Sequence, residues 1–542
     1  MRNRTRNILL FSVAALLVVS ILVFGATSWL LLRQLRANNT AGALQTVRVF
    51  QPLAQTASWL TAGQVPVIEA AAHCPTLISL SEELGTVVPT NSTLVGIDLA
   101  HLKTVTTQNN QSVQMCLSAV SNSSLLQSIL PYQITQFLPE IEQQYTGLTT
   151  VLDELTATSQ TWLILFQNSD ELRATGGFTG SYALLTITDG VISELVFEDI
   201  YDADGQFQGY VTAPPGVAEY LSSNNGLRLP DANWHPDVPQ SVRQQLDFFA
   251  LGRKQGIAGV ITINLPLAER LLQVTGPISI PDYQTFISAQ NLHQALREER
   301  DPFFAGAIQK KHILSQVVKQ AILKLSNLPA RQQLELIEIF KTSAQQKELL
   351  AFSRNQTLQE LFAKWELTGA INTQHAEYFF GLVESNVGIN KANRQVQRTV
   401  KLELQERRSL ITITFANNNS PDTPVPENGA KDNGYVNYQR LLIPPSWQVR
   451  SVSTAGEELE TWQTDTIATS FGQQLQQVGY LVPVPEQTTR TTTIELTHPP
   501  LAAPSSLQLY KQPGLAATPY TITFGEQTQQ LLLEHDQVIV LE

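Results

Sequence analysis

The distribution of apolar positions divides the chain into segments of different kinds. Residues 8–32 read ILLFSVAALLVVSILVFGATSWLLL and contain no charged residue. This run exceeds the roughly 20 apolar residues that cross a bilayer as a helix. A cleaved signal peptide usually has an apolar run of only about 7 to 15 residues. The pattern therefore predicts an uncleaved transmembrane anchor, with residues 1–36 forming the cytoplasmic tail and the anchor.

Basic residues favour an amino terminus on the cytoplasmic side. Arg2, Arg4 and Arg6 precede the apolar run, whereas Arg33 and Arg36 follow it. Lys and Arg are enriched on the cytoplasmic side of a span. The prediction is a single-pass protein of the cell membrane whose bulk is extracytoplasmic, with membrane lipid as the partner of the anchor.

Residues 37–160 show the period of helices. A heptad-like apolar stripe must pack on a partner. An earlier segment of the same region is the favoured partner, giving an extracytoplasmic helical bundle or stalk; dimerisation through the stripe is the alternative. The stripe consists of Ile134, Leu138, Ile141, Tyr145, Leu148, Leu152 and Leu155.

The two cysteines of the chain, Cys74 and Cys116, both lie in this helical region. Exported chains meet an oxidising compartment, which favours a disulfide between them. Two buried thiols are the alternative. A metal site with His73 and His101 lacks the close spacing of known zinc motifs.

Residues 161–395 alternate between strand and helix patterns, which predicts an α/β core. A buried strand begins at Thr161, and a hairpin is expected around the Asp189-Gly190 turn. A strand at Gly259–Asn264 precedes a short helix that stops at Gly276. Further helices are expected over residues 305–325 and 330–352.

Residues 396–542 change to a period of two and contain polar loops rich in Asn, Pro and Gly. This pattern predicts an antiparallel β-sandwich. The fold class is therefore α+β and multidomain: anchor, helical bundle, α/β core and sandwich. The positions that show the alternation most clearly are Val400, Leu402, Leu404, Ile411, Ile413 and Phe415.

Length and charge narrow the function classes. A chain of 542 residues is too long for one ordinary core, in agreement with several domains. The net charge of -12 disfavours a nucleic-acid binder, which needs clustered Lys and Arg.

The stretch NSDELRATGGFTGSY, residues 168–182, is the first candidate site. An alternating strand follows its glycines, and no Gly-Lys-Ser/Thr ending is present, so a nucleotide P-loop is disfavoured. Arg173 could hold a pyrophosphate beside the backbone of Gly176, Gly177 and Gly180, while Asp170 or Glu171 held Mg²⁺. Alternatively, Arg173 pairs with Glu171 as a structural clip and the glycines form a turn.

Two acidic segments offer further oxygen ligands. Asp202 and Asp204 lie in EDIYDADGQ, and Asp237 lies in DANWHPDVP with Asp231 and His235. Together with Glu171 they could form a Mg²⁺ or Ca²⁺ site. The loop that begins at Asp202 lacks the Glu of an EF-hand, and a solvated acidic loop is the favoured alternative.

Five ordered blocks resemble a bacterial family known as domain-of-unknown-function family 4012. Its members are typically single-pass envelope proteins, so the resemblance implies the same topology and implies no reaction. The blocks are NSDELRATGGFTGSY, DANWHPDVPQS, GVITINLPLAERLLQVTGPISIP, VESNVGINKANR and LQLYKQPG.

The order of strand, acidic-x-Arg, glycine turn and strand is also similar to the LytR-CpsA-Psr phosphotransferases. Those enzymes attach lipid-pyrophosphate-linked glycopolymers to cell walls. The resemblance implies that Glu171 and Arg173 correspond to the aspartate and arginine beside the pyrophosphate. Gly177–Gly180 stand where the second Arg-Ser-Asp block of those enzymes would fall.

Two functions follow from these patterns. The favoured one is a binding or assembly module of the cell envelope, with cell-wall glycan or lipid-linked glycan as its expected partner. The alternative is a metal-dependent phosphotransferase that uses Glu171, Arg173 and Asp170 or Asp237. The sequence leaves open whether the protein is an enzyme.

Overall fold

The computed structural model describes several segments of the chain, which fold into two compact units. One unit contains Gly96–Ser159 and Thr188–Ile192, and the other contains Gln160–Ile187 and Ser193–Glu542. The predicted anchor at residues 8–32 lies outside the described residues. No helix of the described segments is long and apolar enough to cross a membrane. The described residues are 51, 52, 54, 55, 58, 65–76, 94–129, 132–222, 225–280, 285–294, 308–326, 328, 330–420 and 434–542.

The helical unit contains helices α1 (Pro66–His73), α2 (Leu99–Ser121), α3 (Ser124–Ile129) and α4 (Tyr132–Ala157). Helix α2 packs against both α1 and α4. The hydroxyl of Tyr145 donates to the carbonyl of Thr106 at 3.0 Å, and Leu152 is buried. Helix α4 thus packs on an earlier helix of the same region. Of the predicted apolar stripe, Leu152 is buried, whereas Leu148 is 38% exposed.

A disulfide joins the first two helices of this unit. Cys74, at the end of α1, is bonded to Cys116 on α2, 42 residues later. Beside it, His73 lies 3.3 Å from the Ser112 hydroxyl and 3.5 Å from a carboxylate oxygen of Glu69.

The larger unit begins with a five-stranded sheet in the order β3-β2-β1-β4-β7. Strands β1 and β4 are parallel, whereas β2 and β7 run antiparallel to their partners β1 and β4. Asp189 and Gly190 both have positive φ, as a two-residue hairpin turn requires, so the predicted hairpin is confirmed. The strands are β1 (Gln160–Asn168), β2 (Phe178–Thr188), β3 (Val191–Asp199), β4 (Ile257–Asn264) and β7 (Leu349–Ser353).

Helices accompany this sheet, and one predicted boundary was wrong. The helix expected over residues 330–352 ends at Gln345, and Leu349–Ser353 is strand β7. Lys347 adopts a left-handed conformation at φ 59°, which ends the helix and redirects the chain beside β4. The helices are α5 (Ile200–Asp204), α6 (Val217–Tyr220), α7 (Val238–Leu251), α8 (Leu265–Thr275), α9 (Ile308–Ser326), α10 (Ala330–Gln345) and α11 (Gln356–Lys364). A two-stranded sheet is formed by β5 (Ile278–Ile280) and β6 (Thr285–Ile287).

Two larger sheets form the β-sandwich. One has the order β13-β12-β16-β10-β9-β18-β19, and the other has the order β14-β15-β11-β8-β17-β20. The strands are β8 (Tyr378–Asn386), β9 (Val396–Leu404), β10 (Arg408–Asn417), β11 (Tyr435–Ile443), β12 (Gln448–Thr454), β13 (Glu457–Glu458), β14 (Gln463–Ala468), β15 (Gln474–Val484), β16 (Thr488–Thr497), β17 (Ser505–Tyr510), β18 (Thr518–Phe524), β19 (Gln527–Leu533) and β20 (Gln537–Leu541).

The core of the sandwich takes alternate residues from both sheets, including Leu402 and Ile413 from one and Leu441 and Val482 from the other. The sandwich is not purely antiparallel as predicted, because β17 runs parallel to β8 and β18 runs parallel to β9. Strand β8 precedes the predicted boundary at residue 396 and pairs within the sandwich.

Candidate functional site

The first candidate site is the turn between β1 and β2, residues 168–180, which we call the glycine turn. Its backbone closes on itself: the N–H of Glu171 donates to the Asn168 carbonyl, and the N–H of Phe178 donates to the Glu171 carbonyl at 2.8 Å. These bonds bring the start of β2 back beside the end of β1.

The glycines permit close approaches within this turn. A Cβ on Gly177 would collide with the carbonyl of Asn168, and one on Gly176 would collide with the side chain of Asn264. Gly176 also has a φ of 136°, which side-chain-bearing residues rarely adopt. Gly180 lies at a β-bulge, where the pairing of β2 with β1 shifts register between Thr179 and Ser181.

The side chain of Arg173 lies inside the protein and is only 1% exposed. One terminal nitrogen donates to the carbonyl of Asn386 at 2.6 Å, and the other lies 3.1 Å from a carboxylate oxygen of Glu171. A second carboxylate, Asp231, lies 3.4 Å away. The guanidinium therefore binds two carboxylates and the end of strand β8.

The electrostatics of this cluster follow from burial. Burial raises the pKa of Asp231, and the positive charge of Arg173 acts against that rise. Burial is also the largest cause that raises the pKa of the nearby Tyr201 phenol, followed by the negative charges of Glu171 and Asp231. Arg173 thus supplies the positive charge that this carboxylate pair requires.

Residues of the sandwich hold the backbone of the glycine turn. The side-chain amide of Gln512 donates to the carbonyls of Arg173 and Glu384, at 3.0 and 2.8 Å. The amide of Asn393 donates to the Ser169 carbonyl at 2.7 Å. Because these bonds bridge the two halves of the larger unit, the glycine turn is part of a junction between the five-stranded sheet and the sandwich.

The segment 231–241 also contributes residues to this junction. Asp237 is the N-cap of α7, and its second oxygen accepts the N–H groups of Ile371 and Ser470, at 2.9 and 3.2 Å. The guanidinium of Arg440 stacks on Trp234, 4.4 Å from the ring centre, and donates to the Trp234 carbonyl. Burial lowers the pKa of Arg440 to about 10.

The carboxylate of Asp170 contacts a histidine. This carboxylate lies 2.8 Å from Nδ1 of His293, whose Nε2 lies 3.6 Å from Glu269 on α8. The His293 side chain is 10% exposed. This arrangement connects the glycine turn to the segment that follows β6.

The other predicted metal ligands bind protein groups. Asp202 completes the capping box of α5 by accepting the N–H of Asp199. Asp204 binds the guanidinium of Arg228 and accepts the N–H of Leu229. Within the described segments, no group of three or more His, Cys, Asp or Glu side chains is arranged to hold a metal ion.

Part of the chain matches a known protein family. Residues 158–300 match the family model described as "Protein of unknown function (DUF4012)". The likeness to this family is shown for that segment. None of the curated proteins compared with the chain matches it.

Two solved structures show weak likeness. A protein from Legionella pneumophila, described as nutrient-binding, is 8% identical, with 24% of this chain and 50% of that chain covered and a TM-score of 0.17. An M1 zinc metallopeptidase from Deinococcus radiodurans is 14% identical, with 24% and 32% covered and a TM-score of 0.13. The chain thus spans at most half of either structure, and at these TM-scores neither likeness bears on the fold or the function.

The DUF4012 segment holds three of the five sequence blocks, and the junction requires the other two. Asn386 and Asn393 come from VESNVGINKANR, and Gln512 comes from LQLYKQPG, both beyond residue 300. The bonds that bury Arg173 therefore join the DUF4012 segment to strands of the sandwich.

Sequence reasoning missed several of these partners. The sequence pattern does not indicate that Asn386, Gln512 and His293 belong to the site. Asn386 contributes its backbone carbonyl, a group that every residue carries, so its side chain gave no signal. The sequence does place Asn and Gln residues in the blocks that resemble the family. It does not indicate which groups these side chains contact.

Proposed function

We propose that the protein is a single-pass, membrane-anchored protein of the cell envelope whose extracytoplasmic part is a binding or assembly module. The glycine turn is a structural joint in this proposal and performs no chemistry. Cell-wall glycan or lipid-linked glycan is the proposed partner, and membrane lipid surrounds the anchor.

The burial of Arg173 carries the proposal. Its guanidinium nitrogens donate to Asn386, Glu171 and Asp231, and the side chain is almost wholly excluded from solvent. A pyrophosphate clamp must present its charge to the ligand. Exchanging these internal partners for a phosphate would leave the buried carboxylate of Glu171 and the partly buried carboxylate of Asp231 without a cation, which is costly.

Two other features support the proposed location. Residues 8–32 are long and apolar enough for an anchor. The disulfide between Cys74 and Cys116 fits an oxidising compartment outside the cytoplasm.

Exposed aromatic rings offer contact points for a partner. Tyr210 is 68% exposed and Phe471 is 54% exposed. Such rings present apolar area that a bound glycan can cover. We expect that replacing either ring by Ser weakens glycan binding without changing the melting temperature of the protein.

The experiment measures binding and turnover of a polyprenyl-pyrophosphate glycan by the full chain in detergent, with and without Mg²⁺. Wild type, Arg173→Lys and Glu171→Gln are compared, and the melting temperature of each is recorded. We expect no release of lipid phosphate from any of them, and lower stability in both variants.

Metal-dependent release of lipid phosphate by the wild type, lost in a Glu171→Gln variant that remains folded, would overturn the proposal. That result would support the LytR-CpsA-Psr-like phosphotransferase, which no observation on this structure favours at present.

A further inference from the structure

A buried lysine and an aspartate lie in direct contact although they are far apart along the chain. Lys347 follows helix α10, and Asp536 lies in the turn between β19 and β20, 189 residues later. The Lys347 amine is 2.7 and 2.9 Å from the two carboxylate oxygens of Asp536. The amine nitrogen is therefore placed beside the carboxyl carbon.

This amine is largely enclosed by protein, and it also donates to the backbone carbonyl of Lys511 at 3.0 Å. The side chain of Lys347 is 8% exposed, and its nitrogen lies 3.9 Å from the centre of the Tyr510 ring. Burial lowers the pKa of Lys347, while the charge of Asp536 acts in the opposite direction. A desolvated lysine that can release its proton is a nucleophile.

A backbone N–H group fixes the carboxyl group of Asp536 beside the lysine amine. One of its oxygens accepts the backbone N–H of Lys511 at 2.7 Å. A fixed N–H donor stabilises the negative charge that develops on oxygen when a nucleophile adds to the carbon. The Asp536 side chain is 31% exposed, so a small leaving molecule has a route to solvent.

We propose that Lys347 and Asp536 form an intramolecular isopeptide bond. A proton first passes from the ammonium to the carboxylate, which leaves an amine and a carboxylic acid. The Lys347 nitrogen then adds to Cγ of Asp536, a C–N bond forms and the C–O bond to the hydroxyl breaks. The hydroxyl departs with a proton of the amine as water, so the step requires no oxidant, reductant or other reactant.

This bond would tie two distant parts of the larger unit. Lys347 leads into strand β7 of the five-stranded sheet, and Asp536 precedes the edge strand β20 of the sandwich. A cross-link between distant residues restricts the unfolded chain and thereby stabilises the folded one. It would also keep the carboxyl-terminal strand β20 attached under load.

The test is tryptic peptide mapping of the full chain, purified in detergent and reduced to open the disulfide. With the bond, trypsin cannot cleave after Lys347, and residues 342–354 appear linked to residues 512–542. Their joint mass is lower than the sum of the two peptides by about 18 Da, the mass of water. Cleavage after Lys347, with peptide 512–542 at its full mass, would overturn the proposal.

Two variants and one internal control sharpen the result. Asp536→Asn should form the same link with loss of ammonia, about 17 Da, whereas Lys347→Arg should show no link. The pair of Lys254 and Glu198 is 2.8 Å apart, but its lysine is more exposed than Lys347, so it should remain unlinked in the same digest. A linked 512–542 peptide in Lys347→Arg would refute the assignment to Lys347.

Discussion

The helical unit and the junction between the five-stranded sheet and the sandwich are held together by different kinds of contact. In the helical unit, α2 packs on its neighbouring helices and a disulfide joins α1 to α2. In the junction, buried charged side chains bind backbone groups of distant segments, as Arg173 binds the carbonyl of Asn386, 213 residues away. Packing of apolar surface tolerates small changes, whereas a buried charge requires its particular partners.

Removal of Arg173 should break the junction most severely. We expect Arg173→Met to lower the free energy of unfolding by about 3 to 5 kcal/mol, because the buried Glu171 and the partly buried Asp231 would remain without their cation. Denaturant unfolding followed by tryptophan fluorescence measures this loss. Arg408→Met, at an exposed position, serves as the control and should change stability little. A loss no larger than that of the control would show that Arg173 does not hold the junction.

The charge of Lys511 should make the stability of the junction depend on pH. Burial lowers the pKa of Lys511 to about 7 from its ordinary 10.5. Between these values the unfolded chain binds the proton and the folded chain does not, so stability rises with pH across this window. Below pH 7 both states are protonated and the full penalty remains.

Lys511→Met provides the matched measurement for this window. The stability difference between wild type and variant should change by a few kcal/mol between pH 7 and 10, with the wild type gaining as the pH rises. A difference that stays constant across this range would mean that Lys511 keeps its proton in the folded protein.

The disulfide should matter to the helical unit alone. Replacing Cys74 and Cys116 together by Ser should cost about 2 to 4 kcal/mol, because the unfolded chain is no longer restricted by the cross-link. Hydrogen exchange of amides in α1 and α2 measures the loss, and amides of the sandwich serve as the control. Equal acceleration in both regions would contradict the separation of the two units.

The smallest effect is expected for Tyr145. Tyr145→Phe removes the hydrogen bond to the Thr106 carbonyl and keeps the apolar ring, so we expect a loss of about 0.5 to 1.5 kcal/mol. Hydrogen exchange in α4 reports the change, with Tyr210→Phe as an exposed control. A loss well above this range would mean that the helical unit, like the junction, depends on specific polar contacts.

Local patterns explain which parts of the fold were predictable. The hairpin at Asp189-Gly190, the strand ending at Asn264 and the helix stopped by Gly276 each depend on residues next to one another. The apolar residues of Leu349–Ser353 continue the preceding helical pattern, which predicts a helix there. The strand conformation of this segment depends on pairing with β4, almost 90 residues earlier, which local periodicity does not contain.

In the candidate site, too, the sequence predicted local contacts but not long-range ones. The sequence offered two possibilities for Arg173, a ligand clamp or a clip with Glu171, and the ion pair with Glu171 belongs to the second. For Asp237 the sequence indicates a charged side chain but not its partners. Ile371 and Ser470 bind it through backbone N–H groups, which a pattern of side chains cannot reveal.

The amino-acid sequence by itself determined the apolar segment at residues 8–32, the period of the helices and strands, the turn glycines and the family match of residues 158–300. Each of these depends on residue type and short-range spacing. Only the tertiary structure decided that Arg173 is internal and that Lys347 meets Asp536, because a buried charge finds its partners after distant segments have packed together.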